Sequence, residues 1–167
     1  MKKRLAFALL LGMAVPLAAS ADDSIVKFEG GIGVIPVSSA TGTQNADNSF
    51  PNVVRNDVLG TPPGGQPWVI KDLSANVRVD GRASVTGRGL LLAGGNGIGT
   101  NGGQSVRARL FCGTTAHDSG LVALEPDGDF RIDENLTPAV TAPCDKPVLL
   151  IVSSNGRWFA AGIPKQK

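Results

Sequence analysis

The chain has 167 residues, 42% of them hydrophobic and 18% charged, with 22 glycines, no tyrosine, and 16 basic against 14 acidic side chains. Three of the bases stand in an N-terminal segment that reads as a removable leader, which leaves 13 bases against 14 acids, a net of −1. That balance removes the general electrostatic argument for nucleic acid or an anionic membrane as a partner.

The leader is "MKKRLAFALLLGMAVPLAASA". Lys2, Lys3 and Arg4 form its charged start, Leu5 to Val15 an apolar run too short for a comfortable membrane span, and Ala19-Ser20-Ala21 the small residues a signal peptidase needs. The expectation is a secretory signal over residues 1–21, cleaved after Ala21, and a mature chain from Asp22 that works outside the cytoplasm with no stable membrane insertion. No cysteine follows the apolar run, which argues against a lipid anchor. Residues 22–167 are then long enough for one domain with its own core.

"SIVKFEGGIGVIPV" opens that domain as a β segment, and its Gly-Gly pair marks a bulge or bend. Residues 38–67 lose all periodicity, so they form a long irregular excursion or a site. Leu73, Ala75, Val77 and Val79 then alternate with polar residues, as on a half-buried strand. Asp80-Gly81 supplies the hairpin turn. The register that keeps the apolar set together pairs Val79 with Ala83 and Val77 with Val85.

"RGLLLAGG" is apolar on both faces and reads as a central strand. The glycine-rich stretch 94–104 follows, an irregular loop expected to join two neighbouring antiparallel strands. "SVRARLFCG" puts Val106, Ala108, Leu110 and Cys112 on one side. In "GLVALEPDGDFRID", Pro126 and Asp127 suit the centre of a type I turn and Gly128 the left-handed residue after it, which pairs Leu124 with Phe130 and Val122 with Ile132. "KPVLLIVSSNGRWFAAGIP" gives a last hairpin turning at Asn155-Gly156. Trp158 and Phe159 are adjacent and so face opposite ways on a strand, which leaves the hairpin apolar on both sides and suits a central core hairpin rather than a sugar platform. Some of its second face could bury a partner or a sister subunit.

No window sustains a helical stripe for three turns. The pattern predicts an all-β fold, a single-domain antiparallel β-sandwich. The "DGDF" turn resembles one common in secreted immunoglobulin-like and transthyretin-like sandwiches, and the resemblance covers about a dozen residues and no functional one. Cys112 and Cys144, an even count in an exported chain, are expected to form one disulfide.

Candidate chemistry is thin. Gly97, Gly99 and Gly102 match the G-x-G-x-x-G spacing of a dinucleotide site, but the segment after them alternates with period two, whereas a pyrophosphate needs a helix N-terminus there. His117, Asp118 and Ser119 are consecutive, and a triad needs its groups brought together from separate positions. His117 is the only histidine, so a hydrolase reading rests on His117 with Asp118, against a solvated loop histidine. Glu125, Asp127, Asp129, Asp133 and Glu134 offer oxygen ligands of the kind calcium takes. Their spacing departs from the EF-hand loop, and turn chemistry accounts for Asp127. Calcium at Asp127 and Asp129 stays open.

Arg78, Arg88, Arg107 and Arg109 form a candidate anion patch, weighed against an ordinary polar sheet face. Gly95, Asn96, Gly97, Gly99, Asn101 and Gly102 form a candidate binding loop, because order among so many glycines would imply that the loop's shape matters. The reading that follows has no cofactor, no metal site and no catalytic residue. It is an exported, periplasmic or secreted binding or structural module with a protein or envelope glycan as partner and no nucleic acid. The alternative is a secreted hydrolase using His117 and Asp118.

Overall fold

The computed structural model describes residues 23–36, 38–39, 46 and 54–165. The expected leader and its expected cleavage point lie outside these residues, as does most of the first half of the 38–67 excursion. Thirteen strands are described: β1 (Ser24–Gly33), β2 (Ser38–Ser39), β3 (Val54–Arg55), β4 (Trp68–Val69), β5 (Asp72–Arg78), β6 (Arg82–Arg88), β7 (Leu91–Leu92), β8 (Ser105–Cys112), β9 (Thr115–Asp118), β10 (Val122–Ala123), β11 (Phe130–Asn135), β12 (Val148–Ser153) and β13 (Trp158–Pro164). No helix occurs among the described residues.

Nine of these strands form one antiparallel sheet in the order β10-β8-β12-β13-β1-β5-β6-β11, with β9 also paired to β8. The sheet curls into a half-barrel. Its two ends approach closely enough that Asp118 and Thr137 exchange both backbone bonds at 2.8 Å. Bulges help a sheet to bend and twist in this way. One falls in β1 between Phe28 and Gly31, at Gly30 with φ +88°, where the sequence places its Gly-Gly bend.

One set of inward side chains fills the curl. It includes Phe28, Leu73, Val77, Val85, Leu110, Ile132, Leu149 and Ile151, all buried. Every second residue supplies it, as strand geometry requires. At Gly33 the backbone of β4 lies so close that a Cβ would strike the Trp68 carbonyl oxygen.

The second face of the terminal hairpin is also buried, and the chain itself covers it. Trp158 donates its backbone N–H to Pro62 O at 2.9 Å and its indole N–H to Asn56 O at 3.1 Å. Gly64 N–H returns a bond of 2.9 Å to Trp158 O. The stretch 56–67 thus forms a layer over β12 and β13, held by backbone bonds and not by alternation. This explains its lack of sequence periodicity.

Several expected details differ. The Asp80-Gly81 hairpin pairs Val77 with Ala83 and Ala75 with Val85, a register two residues short of the expected one. Gly81 N–H closes on Arg78 O at 2.9 Å, which moves Val79 into the turn, where it is 60% exposed. The face is preserved because the shift is even. Leu91–Leu92 is not a central strand but pairs with β4 in a small separate sheet. Consequently the glycine loop does not join two neighbouring strands.

The acidic turn forms as read, with Gly128 at φ +82° and Gly128 N–H bonded to Glu125 O. Its flanks then diverge. β10 pairs with β8 and β11 with β6, so the pairs Leu124–Phe130 and Val122–Ile132 do not form. The last hairpin turns at Asn155-Gly156 as expected. Trp158 and Phe159 do not simply alternate, because Ile151 pairs with Ala160 and Val152 with Trp158, leaving Phe159 the extra residue of a bulge. Cys112 and Cys144 are bonded, with Cα atoms 4.8 Å apart. The all-β, antiparallel, disulfide-linked class therefore holds.

Candidate binding site at the glycine loop

The glycine loop is built by its own hydrogen bonds. Gly99 N–H donates to Leu92 O at 2.8 Å and Leu92 N–H to Thr100 O at 2.9 Å, so the chain folds back on β7. Thr100 Oγ1 caps Gly97 O at 2.7 Å, and Gly103 N–H reaches Asn101 Oδ1 at 2.9 Å. The Asn101 amide then donates to two carbonyls of the neighbouring segment, Leu124 O at 3.0 Å and Glu125 O at 2.9 Å. Gly95, Gly99, Gly102 and Gly103 all have positive φ, a region that costs glycine nothing. Asn96 and Gly97 complete the turn, and Ile98 at its tip is 66% exposed. The segment after the fingerprint glycines is strand β8, so no helix N-terminus stands there to receive a pyrophosphate.

Beside this loop lies a cleft of about 250 Å³. The rings of Trp68 and Phe159, stacked with centroids 4.1 Å apart, form its floor with Leu92. Gly102 packs on the Trp68 ring, where a Cβ would come within 3.6 Å of it. The rim carries Gln66, Gln104, Asn155 and Arg157, and buried Ser153 also lines the cleft. Arg157 donates from Nη1 to Pro63 O at 3.2 Å, which tethers the guanidinium, and its backbone N–H bonds Ser153 Oγ at 3.2 Å. Gln104 Nε2 donates to Gly102 O at 3.2 Å. Of these residues, sequence reasoning offered only Gly102 as a binding candidate and assigned Phe159 to the core hairpin. The missed signal was Arg157 between a turn, Asn155-Gly156, and two aromatic residues.

The candidate arginines do not gather. Arg107 and Arg109 are neighbours on one face of β8 and share Asp118. Arg109 holds both carboxylate oxygens at 2.7 Å, and Arg107 Nη1 lies 3.8 Å from one of them. The bond to Asp118 raises the Arg109 pKa further above its ordinary value. Arg78, four strands away, pairs with Asp80, and Arg88 sits at the other end of the β5–β6 ladder, opposite Asp72.

His117 is a buried residue of β9 rather than a solvated loop histidine, and its Nδ1 lies 2.7 Å from Pro138 O. Asp118 is held by Arg109, and Ser119 Oγ accepts from Ala108 N–H and donates to Gly120 O. Each of the three faces a different partner.

The acidic side chains are likewise engaged one by one. Asp127 accepts from Asp129 N–H, Asp129 from Gly89 N–H, and Glu134 from Gly120 N–H. Asp133 accepts from Arg82 Nε at 2.8 Å and Ser84 Oγ at 2.9 Å. These bonds, that of Arg82 first, lower its pKa to about 2. Among the described residues no three His, Cys, Asp or Glu side chains come together as a metal group. No family model, curated protein or solved structure matches the chain.

Proposed function

We propose that the protein is an exported, non-catalytic binding module that engages its partner through the glycine loop. The observation that carries this reading is the order of that loop. Ordering glycines costs more backbone entropy than ordering other residues. Here the cost is offset by a closed set of internal bonds and by the Asn101 clamp, while the apolar tip at Ile98 is left in solvent. A mere connector has no need of a fixed shape. The paired cysteines agree with an oxidising compartment, periplasmic or extracellular.

The immunoglobulin-like or transthyretin-like sandwich belongs to the same proposal. It is supported by a single core cluster shared between the β1-β5-β6-β11 half and the β8-β12-β13 half of the sheet.

The test uses the mature domain, residues 22–167, as bait against the producing cell's envelope fraction and medium. Ile98→Asp and Asn101→Ala serve as parallel baits. A partner retained by the wild type and lost by Ile98→Asp, in a variant with unchanged melting temperature, is the expected result. Retention of every partner by both variants would reduce the loop to a connector.

A further inference from the structure

We propose that the cleft beside the glycine loop takes one acidic sugar residue, a hexuronate unit of an anionic glycan, with Arg157 receiving its carboxylate. The inference rests on the binding-module reading, because Gly102 and Gln104 of the loop region form one wall.

Charge decides the first part. No carboxylate lines this cleft, and Arg157 has no acidic partner within ion-pair distance among the described residues. The other two described clefts differ. One contains the Lys165–Glu29 pair, and the other sets Arg88 and Arg131 beside Glu125 and Asp129. Arg157 is also tethered. Its bond to Pro63 O occupies one donor and leaves the remaining fork of N–H groups for a planar acceptor. A carboxylate matches that fork in two parallel bonds.

The rest of the rim decides the second part. Gln66, Gln104 and Asn155 present amides, each with donors and an acceptor. Vicinal hydroxyls, which both donate and accept, suit such a rim. An α-amino acid would leave its ammonium group with no anionic partner. The edges of Trp68 and Phe159 and the Leu92 side chain, each less than a tenth exposed, give a small apolar floor against which a C–H edge of a sugar ring can rest. Size agrees as well: about 250 Å³ lies below the roughly 300–1,000 Å³ typical of pockets for drug-sized ligands.

The experiment is calorimetric titration of the mature domain at low salt with the trimers of galacturonic, glucuronic and mannuronic acid, and with their methyl esters. At least one acid trimer should bind saturably, and its ester should bind roughly tenfold more weakly or worse. Arg157→Gln, checked for an unchanged melting temperature, should weaken the acid to the level of its ester and leave the ester unaffected. Asn155→Ala should weaken both. Equal binding of acid and ester, indifference to Arg157→Gln, or no binding of any trimer at millimolar concentration would each overturn the proposal. If the trimers fail while Ile98-dependent capture persists, the ligand class falls and the module reading stands. If that capture is also absent, both fall.

Discussion

Asp133 shows how a polar sheet face can be organised by a single acceptor. It stands on β11 opposite Ser84, takes bonds from both Ser84 and Arg82, and has Arg131 at 4.0 Å. Its pKa falls from 3.8 to about 2 because these donors favour the charged form. The folded value lies below the unfolded one, so the associated stability is fully present above pH 3.8 and is lost as pH falls through about 2. Carboxyl NMR titration should place the Asp133 midpoint near 2. In Arg82→Gln it should return most of the way to the ordinary carboxylate range, and an unmoved midpoint would show that Ser84 alone sets the value.

Among the elements, those governed by local chemistry were legible in the sequence. The alternation of Val106, Ala108 and Leu110, the Asn155-Gly156 turn and the left-handed Gly128 all stand as read. Partner choice was not legible. The acidic turn looks like a hairpin, yet β11 finds more ladder with β6 than with the two-residue β10. No local rule ranks those alternatives. The Asp80-Gly81 register failed for a smaller reason: Val79 is apolar, and its exposure follows from turn closure, which pattern matching ignores. The cleft as an assembly was not legible, since Gln66, Gln104 and Arg157 come from three distant segments.

The disulfide is an element-scale feature whose effect can be measured. It ties the end of β8 to the segment before β12 across 32 residues. In the chain-entropy view such a loop stabilises the fold by about 3–4 kcal/mol. Cys112→Ala with Cys144→Ala should lower urea stability by about that amount, with the m-value raised as the unfolded chain expands. A loss under about 1 kcal/mol would mean that the reduced, unfolded chain keeps this region compact.

At the scale of the whole molecule, β12 and β13 are shared by two buried faces. Leu149 and Ile151 lie in the curl, while Leu150, Val152 and Trp158 lie under the 56–67 layer. Neither face can be exposed without disturbing the same pair of strands, so unfolding is expected to be a single transition. Trp68 and Trp158 are the only indoles. Denaturation followed by fluorescence in Trp68→Phe, which isolates Trp158 under the layer, should coincide with far-ultraviolet circular dichroism. An earlier fluorescence change would show that the layer peels off first.

The meeting of Asp118 with Thr137 has a consequence for life at high concentration. An open sheet leaves a strand edge on which a second chain can add, the route to lateral aggregation. Here the margin beside β8 is divided between the four-residue β9 and the two-residue β10, and the longer margin, β11, is hemmed in at both ends. The Asp118–Thr137 bonds stand beyond one end and the Glu125–Asp129 bond at the other. Between them β11 displays Arg131, Asp133 and Glu134, all exposed. An incoming strand meets a short template bearing charges of both signs and obstructed at each end. The contact that draws the curl together thereby also denies the sheet a growing edge.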